Sequence, residues 1–304
     1  AQYFFDVRPS LKRIRVEGMY LDEQELFDLR RSLETIRDIV RFLQKSDDDE
    51  EEGASPYPCL KRLAGDITVF PQLIAKINGI LSPYGKIKDN ASTELARIRR
   101  ELASTMGSIS RSLNSILRNA QSEGVVDKDV TPTMRDGRLV IPVAPALKRK
   151  IRGIVHDESA SGKTVFIEPA EVVEANNRIR ELEGDERREI IRILMEFSNL
   201  LRPSIPDVLL SYEFLAEIDF IRAKALFSEQ ISGLKPALEN KQLLDWTMAV
   251  HPLLQLSLAK HGKKVVPLDI ELNEKQRILI ISGPNAGGKS VCLKTVGLLQ
   301  YMLQ

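Results

Sequence analysis

Cysteine and histidine are scarce in this chain: Cys59 and Cys292, and His156, His251 and His261, in 304 residues. The two thiols stand far apart, with neither the spacing of a metal site nor that of a disulfide framework, so reduced thiols and a cytoplasmic location are expected. Three histidines are too few to suggest a His-rich metal centre. No apolar run approaches the length of a bilayer span, and no membrane partner is expected. A dominant charge is also lacking: Lys+Arg number 44 against Asp+Glu 43, a net charge of +1. Whole-chain charge therefore names no partner, and any electrostatic surface must come from local segregation. The length allows two or three domains with ample apolar content for a core.

What is present is concentrated in one late stretch. Ile278, Leu279, Ile280, Ile281 and Ser282 form an apolar β-rich run, then Gly283-Pro284-Asn285-Ala286-Gly287-Gly288-Lys289-Ser290 fits G-x-x-x-x-G-K-[ST], then residues 291–304 follow a helical pattern. Strand, glycine loop and helix, in that order, are the parts of a nucleotide site for ATP and Mg²⁺. The glycines let backbone N–H groups curl toward phosphate, Lys289 reaches the β/γ oxygens, and Ser290 offers a hydroxyl to Mg²⁺. Lys289 and Ser290 are thus the catalytic candidates and residues 283–290 the nucleotide-binding ones. Completing such a site takes a downstream acid and a water-positioning residue. Only fourteen residues follow Ser290, so the expectation is a piece of a longer protein, its ATPase domain incomplete and nearly inactive.

The rest is mainly helical. Residues 21–45 place leucines, Ile36 and Val40 at three- and four-residue steps, before the acidic run 47–52, read as a solvated loop. Residues 91–123 carry Leu95, Ile98, Leu102, Met106, Ile109, Leu113 and Leu117 at the same steps, enough for a helix of roughly 50 Å. Pro169 is a good first helical residue, and a second helix of similar length runs from it to about Leu201. Between them, residues 130–167 have the β-branched runs of short strands, with Asp136-Gly137 as a hairpin turn. These lengths predict antiparallel helical arms with a small β tip, in which Leu102, Met106 and Ile109 pack near residues 190–197. Two proline pairs then interrupt before a further helix over 208–231. Val265-Val266 and residues 278–281 read as strands, the first of a truncated P-loop α/β ATPase domain. The fold class is mixed and mainly α, with expected divisions 1–124, 125–168, 169–234 and 235–304.

Charge is segregated at the β block, where Arg135, Arg138, Lys148, Arg149, Lys150 and Arg152 face one acid, Asp136. Such a cluster suits phosphate contacts indifferent to sequence; a solvated face without ligand is the alternative. No aromatics interleave, which argues against single-strand stacking. His156-Asp157-Glu158-Ser159 contains the residue types of a catalytic triad, but sequence neighbours seldom converge as one, so a polar turn between strands is expected.

The loop 283–290, preceded by His251-Pro252-Leu253-Leu254 and Val266-Pro267-Leu268-Asp269-Ile270, resembles the ATPase entry of the MutS proteins. Residues 135–143 and 153–169 resemble more closely their second bacterial branch, MutS-two. The resemblance implies a homodimeric DNA-binding ATPase of the ABC type that limits recombination on branched or duplex DNA and carries a nuclease domain outside this chain. It also implies that the long helices are core and lever, that the β block is a clamp, and that His251 lies near the adenine. A ribosome is the alternative partner, since some members act on collided ribosomes. A structural arm-bearing chromosome-maintenance protein would need far longer heptad runs and a P-loop near its start.

Overall fold

The computed structural model describes residues 4–44, 57–284 and 287–304; the acidic run 47–52 lies outside them. The chain divides into two compact units, Ala1–Leu215 and Ala216–Gln304.

In the first unit, helices α1 (Arg8–Arg13), α2 (Glu23–Gln44), α3 (Pro58–Leu63) and α4 (Pro71–Ile80) precede the 30-residue α5 (Thr93–Ser122). The stepped apolar residues of α2 do what the pattern predicts: Leu26, Leu29, Leu33, Ile36, Val40 and Leu43 are all buried. Leu26, Leu29 and Leu33 enter a core with Leu11, Ile77, Leu95, Phe197, Leu201 and Val208. The last three come from α6 (Val173–Leu201) and α7 (Ile205–Ile231). A 3₁₀ turn, Arg202–Ser204, joins α6 to α7. Pro206 opens α7 rather than breaking it, because the first turn needs no N–H from it. Pro169 departs from expectation. It is the last residue of a strand with φ −60° and ψ 143°, and α6 begins only after the 3₁₀ turn Ala170–Val172.

A second, separate core lies around the sheet. Strands β1 (Thr133–Arg135), β2 (Arg138–Val143), β3 (Gly153–Glu158) and β4 (Val165–Pro169) form an antiparallel sheet of order β1-β2-β4-β3. The turn between β1 and β2 holds Asp136 at φ 46° and Gly137 at φ 72°, the two positive angles of a primed hairpin turn. Ile141, Val143, Val165 and Ile167 from the sheet pack with Ile109, Leu113, Leu117 and Ala120 of α5.

Helices α5 and α6 run antiparallel, and their register explains this arrangement. Ser92 Oγ donates to Glu189 at 2.6 Å, Arg99 pairs with Glu186 at 2.7 Å, and Arg178 with Glu101 at 2.7 Å. The paired residue numbers add to 281, 285 and 279. On that register Val173, the first residue of α6, lies level with about residue 107 of α5, so the last four turns of α5 extend past α6 by roughly 20 Å. The sheet packs along this overhang. The expected packing of Leu102, Met106 and Ile109 near residues 190–197 is therefore wrong. It assumed helices ending level, whereas Ile109 packs with Val172 and Ile179, and residues 193–197 pack with Leu95.

In the second unit, β5 (Leu244–Ala249) pairs antiparallel with β6 (Leu268–Leu272), and the unit also holds α8 (Pro252–Ala259) and α9 (Lys289–Leu303). Val265-Val266 and residues 278–281 are not strands, and Ile278 and Ile280 stand 84% and 85% exposed. Apolar β-branched residues favour a strand only where a neighbouring ladder takes up the backbone polar groups. Among the described residues of this unit the ladder is β5–β6 alone. No helix among the described residues is long and apolar enough to cross a membrane.

The overhang makes a prediction. Leu113→Ala, a fully buried side chain between α5 and the sheet, should cost about 2–5 kcal/mol, against at most about 0.5 kcal/mol for exposed Ser115→Ala. Urea denaturation of both variants measures the difference. Equal midpoints would show that the sheet does not pack there.

Candidate functional site

The glycine loop has a backbone only glycine holds without strain. Gly283 has φ 145° and Gly288 φ 81°, both in the region that L side chains avoid. Gly287 N–H donates to the Pro284 carbonyl at 3.0 Å, and a Cβ at Gly287 would sit 3.1 Å from that carbonyl oxygen. Gly288 then caps the 15-residue α9, whose Val291 and Cys292 amides both donate to its carbonyl at 3.0 Å. The first amides of a helix have no intrahelical acceptor and carry the positive end of its dipole. Lys289 starts this helix, and its ammonium is held by the carbonyls of Gly283 and of Pro284, the latter at 2.7 Å. Ser290, next along the first turn, is exposed. Two loop candidates, Asn285 and Ala286, lie outside the described residues. The donor set of amides, ammonium and hydroxyl fits a phosphate chain with its Mg²⁺.

His251 is the N-cap of α8: its Nδ1 accepts from the Leu254 amide at 3.3 Å. With Leu253, Leu254 and Ser257 it lines a mostly apolar hollow of about 300 Å³, closed on the other side by Val291 and Lys294 of α9. The His251 segment thus meets the helix that follows the glycine loop.

The six basic candidates do not form one set. Lys148, Arg149 and Lys150 end the 3₁₀ turn Pro145–Lys150 and are exposed, as is Arg152 just beyond. Arg135 lies over the Phe166 ring at 4.2 Å, with its guanidinium plane available for cation–π attraction. Arg138 differs from these five. Its Nη1 donates to both oxygens of Glu168 at 2.7 and 2.9 Å, its Nη2 to Asn177 at 2.7 Å, and its side chain is only 14% exposed.

Sequence reasoning missed the residue at the centre of this group. Glu168 on β4 is completely buried and also accepts from Asn176 at 2.7 Å and bonds His156 Nε2. Asn176, buried on α6, in turn exchanges hydrogen bonds with the backbone of Leu139 on β2. His156, read as part of a polar turn, is therefore a strand residue facing a buried carboxylate, and the network ties three strands to the start of α6. The available signal was a lone acid inside the apolar run Val165-Phe166-Ile167-Glu168-Pro169. Among the described residues no group of His, Cys, Asp and Glu could hold a metal ion.

Burial alone would raise the Glu168 carboxyl, but hydrogen bonds from Asn176, His156 and Arg138 outweigh it and hold it below the ordinary carboxylate range. A depressed folded-state pKa gives stability that is complete above the unfolded carboxyl value, about 4.3, and is lost as pH falls through the folded one. Acid titration should therefore destabilise the wild type more steeply below about pH 4.3 than it does Glu168→Gln. At neutral pH Glu168→Ala should cost about 3–5 kcal/mol by leaving Arg138 unpaired. Chemical denaturation at several pH values reads both effects, and parallel acid curves would contradict the network.

Comparison with known proteins accounts for the whole span. No family model matches the chain. It is 39% identical over 299 residues to a protein named endonuclease MutS2 from Pelotomaculum thermopropionicum, covering 98% of this chain and 36% of that protein. Proteins of the same name from Geobacillus sp. and Finegoldia magna are 36% and 38% identical, over 99% and 98% of this chain and 37% and 36% of theirs. The chain thus spans a little over a third of the length of these relatives. Its two segments, 135–143 and 153–169, are the strands and turns of the sheet just described, and the match runs from there through the glycine loop. Over nearly its whole length, the chain belongs to the MutS2 family.

Proposed function

We propose that this chain supplies the phosphate-binding loop and the long helical arms of an ATP-hydrolysing MutS2-type protein that engages branched or duplex DNA and limits recombination. The observation that carries the reading is the loop itself: Gly283 and Gly288 at left-handed φ, with Lys289 opening a 15-residue helix. In this reading the amides at the start of α9 cradle the phosphates. Lys289 would exchange the Gly283 and Pro284 carbonyls for phosphate oxygens, and Ser290 would hold Mg²⁺. Bound ATP supplies the phosphoryl group whose loss changes the state of the arms. The hollow beside His251 is assigned to the base end of the nucleotide, on its position next to α9.

The five basic residues outside the Glu168 network, Arg135, Lys148, Arg149, Lys150 and Arg152, are assigned to phosphate contacts. Arg138 is withdrawn from that role, because a guanidinium bonded to a buried carboxylate cannot leave it without a cost of several kcal/mol. Nuclease chemistry is assigned to no residue of this chain, and hydrolysis and homodimerisation are attributed to the full-length protein. Endonuclease is the relatives' name, and the DNA assignment rests on the family and on the basic turn together.

Two measurements test the reading. In the full-length gene product, Lys289→Ala should weaken ATP·Mg²⁺ binding at least about tenfold, a loss of roughly 1.4 kcal/mol. Gly288→Ala should do likewise through backbone strain, and unchanged nucleotide titrations in both would sink the loop assignment. Replacing Lys148, Arg149 and Lys150 by alanine should flatten the log–log salt dependence of duplex DNA binding by about two to three, at about 0.9 per lost contact. An unchanged slope would leave the basic turn as a solvated face.

A further inference from the structure

The outer face of α5 carries a second charge pattern. Arg100, Arg111 and Arg118 are eleven and seven residues apart, which at about 100° per residue places them within about 20° of one line along the helix. The buried residues Ile98, Ile109, Leu113 and Leu117 and the half-buried Leu102 occupy the opposite side, so the arginines point away from both α6 and the sheet. All three are exposed, and none has a hydrogen-bond or ion-pair partner among the described residues. Between them stand Ser104, Gly107 and Asn114, all exposed, and a Cβ at Gly107 would meet nothing within 4 Å.

The stripe is free of opposing charge. The carboxylates of α5 are Glu94 and Glu101, both in its first turns and both ion-paired, to Arg97 and to Arg97 and Arg178. From Leu102 to Ser122 the helix holds no acid at all. Its partner α6 is the reverse, with seven acids against five arginines. A polyanion approaching the pair is thus drawn to α5 and repelled by α6.

On this ground, and resting on the nucleic-acid reading above, we infer that the outer face of α5 is a second contact surface for duplex DNA, separate from the basic turn. The stripe spans about 27 Å, close to the roughly 34 Å of one duplex turn, so a backbone lying along the helix meets successive arginines. Small polar residues between them admit the sugar-phosphate chain to contact distance, and Ser and Asn side chains add phosphate hydrogen bonds. No aromatic or bulky apolar side chain stands on the line, so bases are not read.

Gly107 gives a test in which stability and charge are separable. Lysine and glutamate are both better helix formers than glycine, so a folding effect moves Gly107→Lys and Gly107→Glu in the same direction, whereas a phosphate surface moves them in opposite ones. In fluorescence anisotropy titrations of the full chain with a mixed-sequence duplex DNA, Gly107→Lys should tighten binding and Gly107→Glu weaken it, each severalfold at about 50 mM salt. Changing Arg100, Arg111 and Arg118 together to serine should flatten the salt slope by about two to three, with thermal unfolding unchanged. The inference is overturned if both Gly107 variants shift binding alike or not at all, or if the stripe variants weaken only duplex RNA binding. If the stripe variants are silent while the Lys148/Arg149/Lys150 variant loses affinity, this surface falls and the proposed function stands. If wild type binds no duplex even at low salt, the nucleic-acid reading falls with it.

Discussion

The register between α5 and α6 is the constraint on which the first unit depends. Three polar contacts, Ser92 with Glu189, Arg99 with Glu186 and Arg178 with Glu101, agree on one offset. Exposed ion pairs are worth at most about 1 kcal/mol each, while each fully buried leucine or isoleucine contributes about 1.5–3 kcal/mol. Stability therefore comes from the two apolar clusters at the ends of the pair. Register is another matter, because Leu and Ile at three- and four-residue steps slide against one another with little discrimination, whereas a slip of one turn separates every charge from its partner. Ser92 joins the two roles. It caps α5 through the Leu95 amide at 2.9 Å and also donates to α6, so the start of one helix is pinned to a fixed point on the other.

The offset decides where the sheet can go. Because α5 runs on beyond α6, its Ile109, Leu113 and Leu117 need another apolar surface, and Ile141, Val165 and Ile167 provide it. The same four turns leave their opposite face to solvent, which is where Arg111 and Arg118 stand. Where β4 leads into α6, a polar network adds to the apolar contacts: Glu168 bonds Arg138, His156 and Asn176. An apolar joint would be at least as stable, but a hydrogen-bonded one admits a single orientation of sheet on helix.

Local features were legible in the sequence because they are local. Three- and four-residue apolar steps gave α2 and α5 to within a residue or two. Asp136-Gly137 gave the hairpin because few other pairs accept two positive φ angles. The pattern after the glycines likewise announced the helix that follows them, α9. What the sequence hid depends on partners. Pro169 suits a helix start and a strand end equally, and pairing with Gly153 decided for the strand. Arg138 looked like one of six equivalent cations until Glu168, thirty residues away, claimed it. Residues 278–281 have the composition of a strand but no ladder to join. The helix register was hidden most completely, since equal helix lengths suggested level ends and only the inter-helix contacts reveal the overhang.

That overhang can be measured directly. In a variant with Cys59 and Cys292 changed to serine, nitroxide labels are placed at residue 104 of α5 and, in turn, at residue 181 or residue 191 of α6. Electron–electron dipolar distances then compare the two pairs. The offset register predicts that 104 and 181 lie nearly level, near the roughly 10 Å helix separation plus the label arms, with 104 and 191 clearly farther apart because ten residues add about 15 Å along the axis. Helices ending level would reverse the order, making 104 to 191 the shorter distance, and would contradict this account.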